Sequence, residues 1–205
     1  MIQKIKIAVL VSGGGTNLQA LIDFEAAGKL KHGEISLVLS NKPEAFALKR
    51  AENAHIPTAV VNRKDFANRE DFENEMIRVL EQNGIELIIL AGFMCILGEK
   101  FCKRFADRII NVHPALIPSF CGAGYYGLHV HEAALAYGVK VTGATVHFVN
   151  EIPDGGKIIM QKAVKIRDDD TPESLQKRVM AEAEWIILPA SAEKVCTQLI
   201  KCRTK

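Results

Sequence analysis

Residues 5–19 read IKIAVLVSGGGTNLQ, and this stretch decides the fold. An unbroken apolar run is typical of a strand that is buried on both faces of a parallel sheet. Glycines at 13–15 permit a tight turn, and the following TNLQALIDFEAAG has the apolar spacing of a helix. Thr16 and Gln19 match a capping box, which predicts a helix that begins near Asn17.

The same alternation of strand and helix continues along the chain. Further apolar runs of strand character occupy 34–40, 58–61, 86–92 and 108–112, with segments of helical period between them. One of those segments predicts a helix from Arg69 to Gln82. Repeated strand–helix–strand units predict a parallel sheet with helices on both faces.

The pattern changes after Gly138. VKVTGATVHFVN and GKIIMQKAVKI lie on either side of the turn signal PDGG, which predicts an antiparallel hairpin. The chain then closes as helix, with Thr171 as N-cap and Pro172 at the first helical position. The expected fold is therefore one α/β domain over residues 1–205, a Rossmann-like doubly wound sheet that is mostly parallel and ends in this hairpin.

Composition excludes several classes of protein. Among the 205 residues, 26 Lys and Arg oppose 24 Asp and Glu, so no nucleic-acid footprint is indicated. Five cysteines without a CxxC motif indicate neither a disulfide framework nor a zinc site, and reduced thiols suit a cytoplasmic protein. The apolar run at the N-terminus is too short for a signal peptide or a membrane span. We expect a soluble, unexported protein without a metal ion.

The glycine loop suggests a phosphate site. Backbone N–H groups of such a loop and the positive end of a helix dipole both favour an anion. Leu18 stands where a dinucleotide motif has its third glycine, residues 40–41 (SN) lack its acidic residue, and no GK[ST] follows the loop. A sugar monophosphate is thus favoured over NAD or ATP. A tight turn with no ligand is the alternative.

The stretch NVHPALIPSF (111–120) suggests acyl chemistry. Asn111 and His113 are two apart on a predicted strand and therefore share a face. An amide can donate to a developing oxyanion, and an imidazole can exchange a proton near neutral pH. No nucleophile motif accompanies them, which favours direct transfer to a substrate nucleophile. A purely structural polar cluster is the alternative.

Two further segments are ambiguous when taken alone. Asp154 in EIPDGG could pair with the imidazole or could be an ordinary hairpin-turn residue. The loop GFMCIL (92–97) is apolar, so it could line the site of a flat ring system or belong to the core. The loop 92–97 is expected at the carboxyl edge of the predicted sheet together with residues 13–17 and 111–114, and open α/β sheets bind ligands at that edge.

Together these motifs resemble the folate-dependent phosphoribosylglycinamide formyltransferases. The similarity runs over nearly the whole chain, through VLVSGGGTNLQALI, LAGFMCIL, NVHPALIPSF and VTGATVHFVNEIPDGGKII. The resemblance implies a Rossmann-like fold, 10-formyltetrahydrofolate as donor, and Asn111, His113 and Asp154 as catalytic residues. It further implies that Gly15, Thr16 and Asn17 hold the substrate phosphate and that Glu184 accepts ribose hydroxyls.

The resemblance also implies a folate site, with Arg69 at the far end of the folate. Its lining would be Met94, Cys95, Ile96, Leu97, Asn111, Asn150, Glu151, Ile152, Pro153 and Asp154. This sequence departs from the family pattern in three places. Cys95 replaces an arginine of many relatives, the loop 121–130 is longer by a few residues, and Trp185 and Leu188 replace a histidine and a tyrosine near Glu184.

The implied reaction is formyl transfer from 10-formyltetrahydrofolate to the amine of glycinamide ribonucleotide in purine biosynthesis. The expected partners are small molecules, with neither nucleic acid nor membrane, and the chain would be a monomer or homodimer. Formyltetrahydrofolate deformylase and methionyl-tRNA formyltransferase are rivals, but these are expected to carry an extra N-terminal or C-terminal domain, respectively. A non-catalytic sugar-phosphate sensor is the rival from another class.

Overall fold

One seven-stranded sheet organises the computed structural model, which describes residues 3–203. Its strands stand in the spatial order β3-β2-β1-β4-β5-β6-β7. They are β1 (Ile5–Val11), β2 (Gly33–Ser40), β3 (Thr58–Val60), β4 (Leu87–Leu90), β5 (Ile109–His113), β6 (Val141–Phe148) and β7 (Ile158–Lys165). The first five strands pair in parallel, whereas β6 pairs antiparallel with both β5 and β7.

Helices cover both faces of the sheet. They are α1 (Thr16–Ala26), α2 (Phe46–Asn53), α3 (Arg69–Gln82), α4 (Glu99–Arg104), α5 (Leu128–Tyr137), α6 (Pro172–Val179) and α7 (Trp185–Arg203), with a 3-10 turn at Arg63–Asp65 and a π-helical turn at Met180–Glu184. One apolar layer packs α1, α2, α5, α6 and α7 on the sheet, and the other packs α3 and α4 on the opposite face. No helix within residues 3–203 has the length and apolar content needed to cross a membrane.

The chain reverses its direction of winding between β1 and β4. It moves outward from β1 through β2 to β3, then returns to place β4 on the other side of β1. The loops that leave β1 and β4 therefore run to opposite sides and open a crevice at the carboxyl edge. Loops after β1, β4 and β5 border this crevice.

The predicted elements agree closely with the observed ones. Every predicted strand lies within two residues of its observed bounds, the hairpin is confirmed as β6 and β7, and α3 has the predicted bounds. Thr171 caps α6 with Pro172 in its first turn, as predicted. The C-terminal helix differs, because a π-helical turn at Met180–Glu184 divides it.

The capping box predicted for Thr16 and Gln19 is wrong. The helix begins at Thr16 and its N-cap is Gly15, which has φ of 72° and no side chain to cap with. The Gln19 amide instead donates to Asp23 at 2.9 Å and accepts from Arg50 at 3.1 Å. The glycine loop thus leads directly into the helix, and the first N–H groups of α1 have no side-chain cap.

Gly15 is the glycine of this loop with the strictest requirement. Its positive φ disfavours other residues, and a Cβ at this position would lie 2.6 Å from the Cβ of Ala47. We expect Gly15→Ala to lower the free energy of unfolding by roughly 1–3 kcal/mol, from backbone strain and the clash with α2. The measurement is urea unfolding of the purified variant.

Gly14→Ala is the matched control. A Cβ at Gly14 meets nothing within 4 Å. We expect its free energy of unfolding to change by less than about 1 kcal/mol. Equal destabilisation by the two variants would show that the packing of Gly15 on α2 is not what requires glycine.

Candidate active site

The carboxyl ends of three strands bring the candidate residues together. β1 leads into the glycine loop, β4 into the apolar loop 91–98, and β5 ends with His113 itself. On β5, Asn111 and His113 share a face, and the intervening Val112 packs into the opposite apolar layer. The sequence prediction placed these same segments at one edge of the sheet.

Pairing of β5 with β6 adds a residue that the sequence analysis missed. Asn111 lies opposite His147, and His113 lies opposite Thr145. Directly opposed side chains in an antiparallel pair point to the same face, so His147 lies beside Asn111. The Nδ2 atom of Asn111 is 3.3 Å from Nε2 of His147. Alternation in VTGATVHFVN predicts a strand but not this register.

Asp154 lies between the two imidazoles. One carboxylate oxygen is 3.4 Å from Nδ1 of His113, and the other is 3.4 Å from Nε2 of His147. The N–H of Gly122 donates to the carboxylate at 2.9 Å. Asp154 itself has φ of 57°, a conformation that aspartate tolerates better than most residues. Its side chain therefore contacts both imidazoles and does more than shape a turn.

Backbone carbonyls show which ring nitrogens carry hydrogen. Nε2 of His113 is 2.7 Å from the carbonyl oxygen of Phe120, and Nδ1 of His147 is 2.7 Å from that of Phe148. A carbonyl only accepts, so each of these nitrogens donates. In a neutral ring, the nitrogen that faces Asp154 then carries a lone pair and no hydrogen. It can donate to Asp154 only after the ring takes up a proton.

Burial shapes the titration of this cluster. Burial lowers the pKa of His113, and the attraction of Asp154 offsets only part of that effect. Burial raises the pKa of Asp154, but a hydrogen bond from His147 when that ring is protonated, the N–H of Gly122 and the positive charge of protonated His113 outweigh it and hold that pKa below its usual value. At neutral pH an ionised Asp154 therefore faces a mostly neutral His113 ring.

A third buried histidine, His131, lies near this cluster. His131 is fully buried, and among residues 3–203 neither of its ring nitrogens has a hydrogen-bond partner. Burial lowers the pKa of His131 to about 4, with repulsion from His113 as a smaller cause.

His129 is exposed and contacts Glu132 at 2.8 Å. Within residues 3–203, no three of His, Cys, Asp and Glu are grouped so as to hold a metal ion.

The candidate ribonucleotide site joins two distant parts of the chain. The Nδ2 atom of Asn17, in the first turn of α1, donates to a Glu184 carboxylate oxygen at 2.7 Å. Glu184 ends the π-helical turn and is only 6% exposed. Burial raises its pKa to about 6, although the bond from Asn17 opposes the shift. The predicted phosphate loop and the predicted ribose acceptor are therefore adjacent.

The apolar loop after β4 presents two side chains to solvent and one to the core. Met94 is 55% exposed and Ile96 is 63% exposed, whereas Leu97 is buried against Phe101 and its neighbours. Across the site, Ile152 is 59% exposed. Met94, Ile96 and Ile152 suit the predicted lining of a flat ring, and Leu97 can offer only its backbone. The Asn150 side chain accepts from the N–H of Ile152, which shapes the second wall.

Polar contacts fix the position of the apolar loop. The Ser12 hydroxyl accepts from the N–H of Met94 at 2.8 Å and donates to Asn41 at 2.7 Å. The Asn41 amide in turn donates to the Cys95 sulfur at 3.0 Å. Cys95 therefore contacts the end of β2, where an arginine could have reached outward. This role of Asn41 depends on tertiary contacts, and residues 40–41 of the sequence indicated only that the acid of a dinucleotide motif is absent.

Arg69 lies at the far end of the same loop. Its Nε donates to Glu73 at 2.7 Å, and the same carboxylate oxygen accepts the N–H of Gly98 at 2.8 Å. Glu73 thereby holds Arg69 beside the loop while half of the Arg69 side chain stays exposed. Glu151 and Pro153 lie exposed in the loop between β6 and β7.

Comparison with known proteins identifies the family. A family model described as formyl transferase matches residues 5–191. The chain belongs to the formyl transferase family. It is 44% identical to phosphoribosylglycinamide formyltransferase of Haemophilus influenzae over 184 residues, which are 90% of this chain and 84% of that protein. The resemblance stated from the sequence is thereby confirmed.

A longer relative and a solved structure extend the comparison. The chain is 46% identical to the trifunctional purine biosynthetic protein adenosine-3 of Gallus gallus, and the match covers 97% of this chain and 19% of that protein. The chain thus spans about a fifth of this trifunctional relative. Glycinamide ribonucleotide transformylase 1 of Symbiobacterium toebii superposes with a TM-score of 0.89 at 36% identity, covering 95% of this chain and 89% of that chain. The predicted fold class is confirmed.

The buried Glu184 leads to a test of this formyl transferase by pH. Its pKa is higher in the folded protein, about 6, than in an unfolded chain. Its contribution to stability is therefore complete below the unfolded pKa and is lost as pH rises through the folded pKa. We expect wild type to lose about 2 kcal/mol relative to Glu184→Gln between pH 4.5 and pH 7. Urea unfolding of both proteins across this range gives the difference.

Asn17 provides the second arm of that experiment. Its amide donates to Glu184, so Asn17→Ala is expected to raise the Glu184 pKa further and to steepen the same pH dependence. Parallel stability curves for wild type and Glu184→Gln would contradict a raised pKa at this carboxyl.

Proposed function

We propose that this formyl transferase moves a formyl group from 10-formyltetrahydrofolate to the amine of glycinamide ribonucleotide. The products are formylglycinamide ribonucleotide and tetrahydrofolate, a step of purine synthesis. The observation that carries the proposal is the meeting of Asn111, His113 and Asp154 at the sheet edge that also holds the glycine loop and Glu184. A pair of sites for two small molecules, with proton-transfer groups beside them, is what a direct formyl transfer requires.

The ribonucleotide would bind at the beginning of α1. The N–H groups of Gly15, Thr16 and Asn17 lie at the positive end of the helix dipole and would receive the phosphate. Glu184, ionised at neutral pH, would accept hydrogen bonds from the ribose hydroxyls. Its bond from Asn17 holds the carboxylate beside the phosphate loop.

The folate would bind in the crevice between the two exposed apolar walls. Met94 and Ile96 form one wall and Ile152 the other, and their exposed side chains offer a surface for a flat ring. The Asn150 to Asp154 segment would place the formyl group near His113. Arg69, half exposed at the end of the crevice, would meet the carboxylates at the far end of the folate.

In the reaction, the neutral amine nitrogen bonds to the formyl carbon and a tetrahedral intermediate forms. The bond from that carbon to the folate nitrogen then breaks, and the proton lost by the amine ends on the folate nitrogen. Oxygen carries the charge in the intermediate. The Asn111 amide and the His113 imidazole would donate hydrogen bonds to that oxygen.

Asp154 would assist proton transfer through the His113 imidazole. An ionised carboxylate beside His113 favours proton uptake by that ring as charge develops on the oxygen. His113 donates to the Phe120 carbonyl in the unliganded protein, so this bond must be exchanged for one to the substrate. His147 holds Asn111 and Asp154 and acts through them as a positioning residue.

The proposal is tested by mixing the protein with 10-formyltetrahydrofolate, with and without glycinamide ribonucleotide. We expect tetrahydrofolate release only when the ribonucleotide is present. Release that ignores the ribonucleotide would indicate a deformylase with water as acceptor. Binding of the ribonucleotide without release would indicate a sensor, and either result would contradict the proposal.

Variants connect that activity to the site. Asn111→Ala and His113→Ala are expected to lower kcat by roughly a hundredfold or more, with little change in KM, because both act on the transition state. His129→Ala is the matched control, since His129 is exposed and pairs with Glu132. Full activity per folded molecule in both site variants would leave the pair a structural cluster.

A further inference from the structure

Residues of helix α2 donate hydrogen bonds to the backbone of the glycine loop. The N–H of Ala47 donates to the carbonyl of Gly13 at 3.0 Å, and Nε of Arg50 donates to the carbonyl of Gly14 at 2.8 Å. Ala47 also packs against Gly15 so closely that no side chain fits there. Two consecutive carbonyls of the loop are therefore directed toward α2.

The direction of these carbonyls determines the direction of the N–H groups. In a trans peptide the C=O and the following N–H point in opposite directions. A Gly13 carbonyl that faces Ala47 directs the Gly14 N–H away from α2, and a Gly14 carbonyl that faces Arg50 does the same for the Gly15 N–H. Within residues 3–203 neither N–H has a protein acceptor. Both groups are free to bind an anion on the side opposite α2.

Arg50 is itself held in place on three sides. Besides Gly14, its guanidinium donates through Nη1 to Gln19 at 3.1 Å. Its guanidinium carbon lies 5.1 Å from the centre of the Phe46 ring. Gln19 is on α1, so one planar side chain joins both helices to the loop. This arrangement suits arginine, whose fork donates in two fixed directions at once.

We propose that Arg50 is a positioning residue for the substrate phosphate: by fixing the Gly14 carbonyl it directs the Gly15 N–H at the phosphate. This inference rests on the proposed function, which supplies the phosphorylated substrate. Without the bond from Arg50, the peptide between Gly14 and Gly15 can rotate, and the phosphate loses a preorganised donor. The formyl-transfer groups at His113 are not affected.

Arg50→Met tests this inference, because methionine keeps an unbranched side chain at this position and removes every donor. We expect the KM for glycinamide ribonucleotide to rise roughly tenfold or more, with kcat and the KM for formylfolate nearly unchanged. Arg50→Lys should restore part of the affinity, since an ammonium can still donate to the Gly14 carbonyl but lacks the planar fork that also reaches Gln19. Lys49→Met, the same change on an exposed neighbour paired with Glu52, should behave as wild type.

The salt dependence of KM distinguishes positioning of the loop by Arg50 from simple attraction between the Arg50 charge and the phosphate. The effect of a surface charge on a phosphate is screened at about 0.5 M KCl, whereas the effect of a misdirected N–H is not. We expect the ratio of KM between Arg50→Met and wild type to persist at high salt. A ratio that collapses to one, or a KM unchanged from wild type at low salt, would overturn the inference.

Two further measurements cover the other outcomes. If Arg50→Met does not fold, Gln19→Met withdraws the acceptor of Nη1 and should raise the same KM by a smaller factor, whereas an unchanged KM would contradict the inference. If wild type transfers no formyl group, the proposed function fails and inorganic phosphate becomes the probe. Phosphate should then raise the Tm of wild type and of Lys49→Met but not that of Arg50→Met, and equal rises would overturn the inference.

Discussion

The contact of one carboxylate with two imidazoles is the interaction on which the candidate active site depends. Asp154 is partly buried, and a buried carboxylate is costly unless hydrogen bonds or opposite charges compensate it. Gly122 donates to it from one loop, and His113 and His147 face it from two neighbouring strands. The loop between β6 and β7 and the loop after β5 are therefore held against the sheet edge by the same group. The same carboxylate therefore takes part in the proposed chemistry and stabilises the local structure.

The sheet topology explains why two substrates could meet at this carboxylate. The reversal of winding between β1 and β4 opens a crevice, with the glycine loop on one side and the apolar loop on the other. The glycine loop and the exposed apolar side chains of the loop after β4 thus lie at the same edge of the sheet as His113. The antiparallel strand β6 then supplies His147 from beyond the parallel part of the sheet.

Much of this arrangement could be predicted from the sequence, because it depends on local periodicity. The strands, the glycine loop and the shared face of Asn111 and His113 all follow from spacing along the chain. His147 could not be predicted, because its place beside Asn111 depends on cross-strand register. The contacts from the Phe120 carbonyl and the Gly122 N–H are made by backbone, which leaves no residue signal.

Other features depended on contacts between distant segments. Asn17 and Glu184 are 167 residues apart, and only the resemblance to known formyltransferases pointed to Glu184. The capping box failed because Gly15, in a left-handed conformation, precedes a helix that begins one residue earlier than predicted. Cys95 contacts Asn41 in place of the solvent-facing contact that an arginine would make. In each case a tertiary contact determined the outcome that local spacing left open.

The charge of Asp154 raises the proton affinity of His113 and so opposes part of the effect of burial. NMR titration of ¹⁵N-labelled imidazoles in wild type and Asp154→Asn tests it most directly, with His113→Gln to assign the resonance. In wild type, burial should hold the pKa of His113 below its ordinary value. Asp154→Asn removes the attraction that opposes burial, so the titration should move to still lower pH. The same midpoint in both proteins, or a higher one in the variant, would contradict the claim.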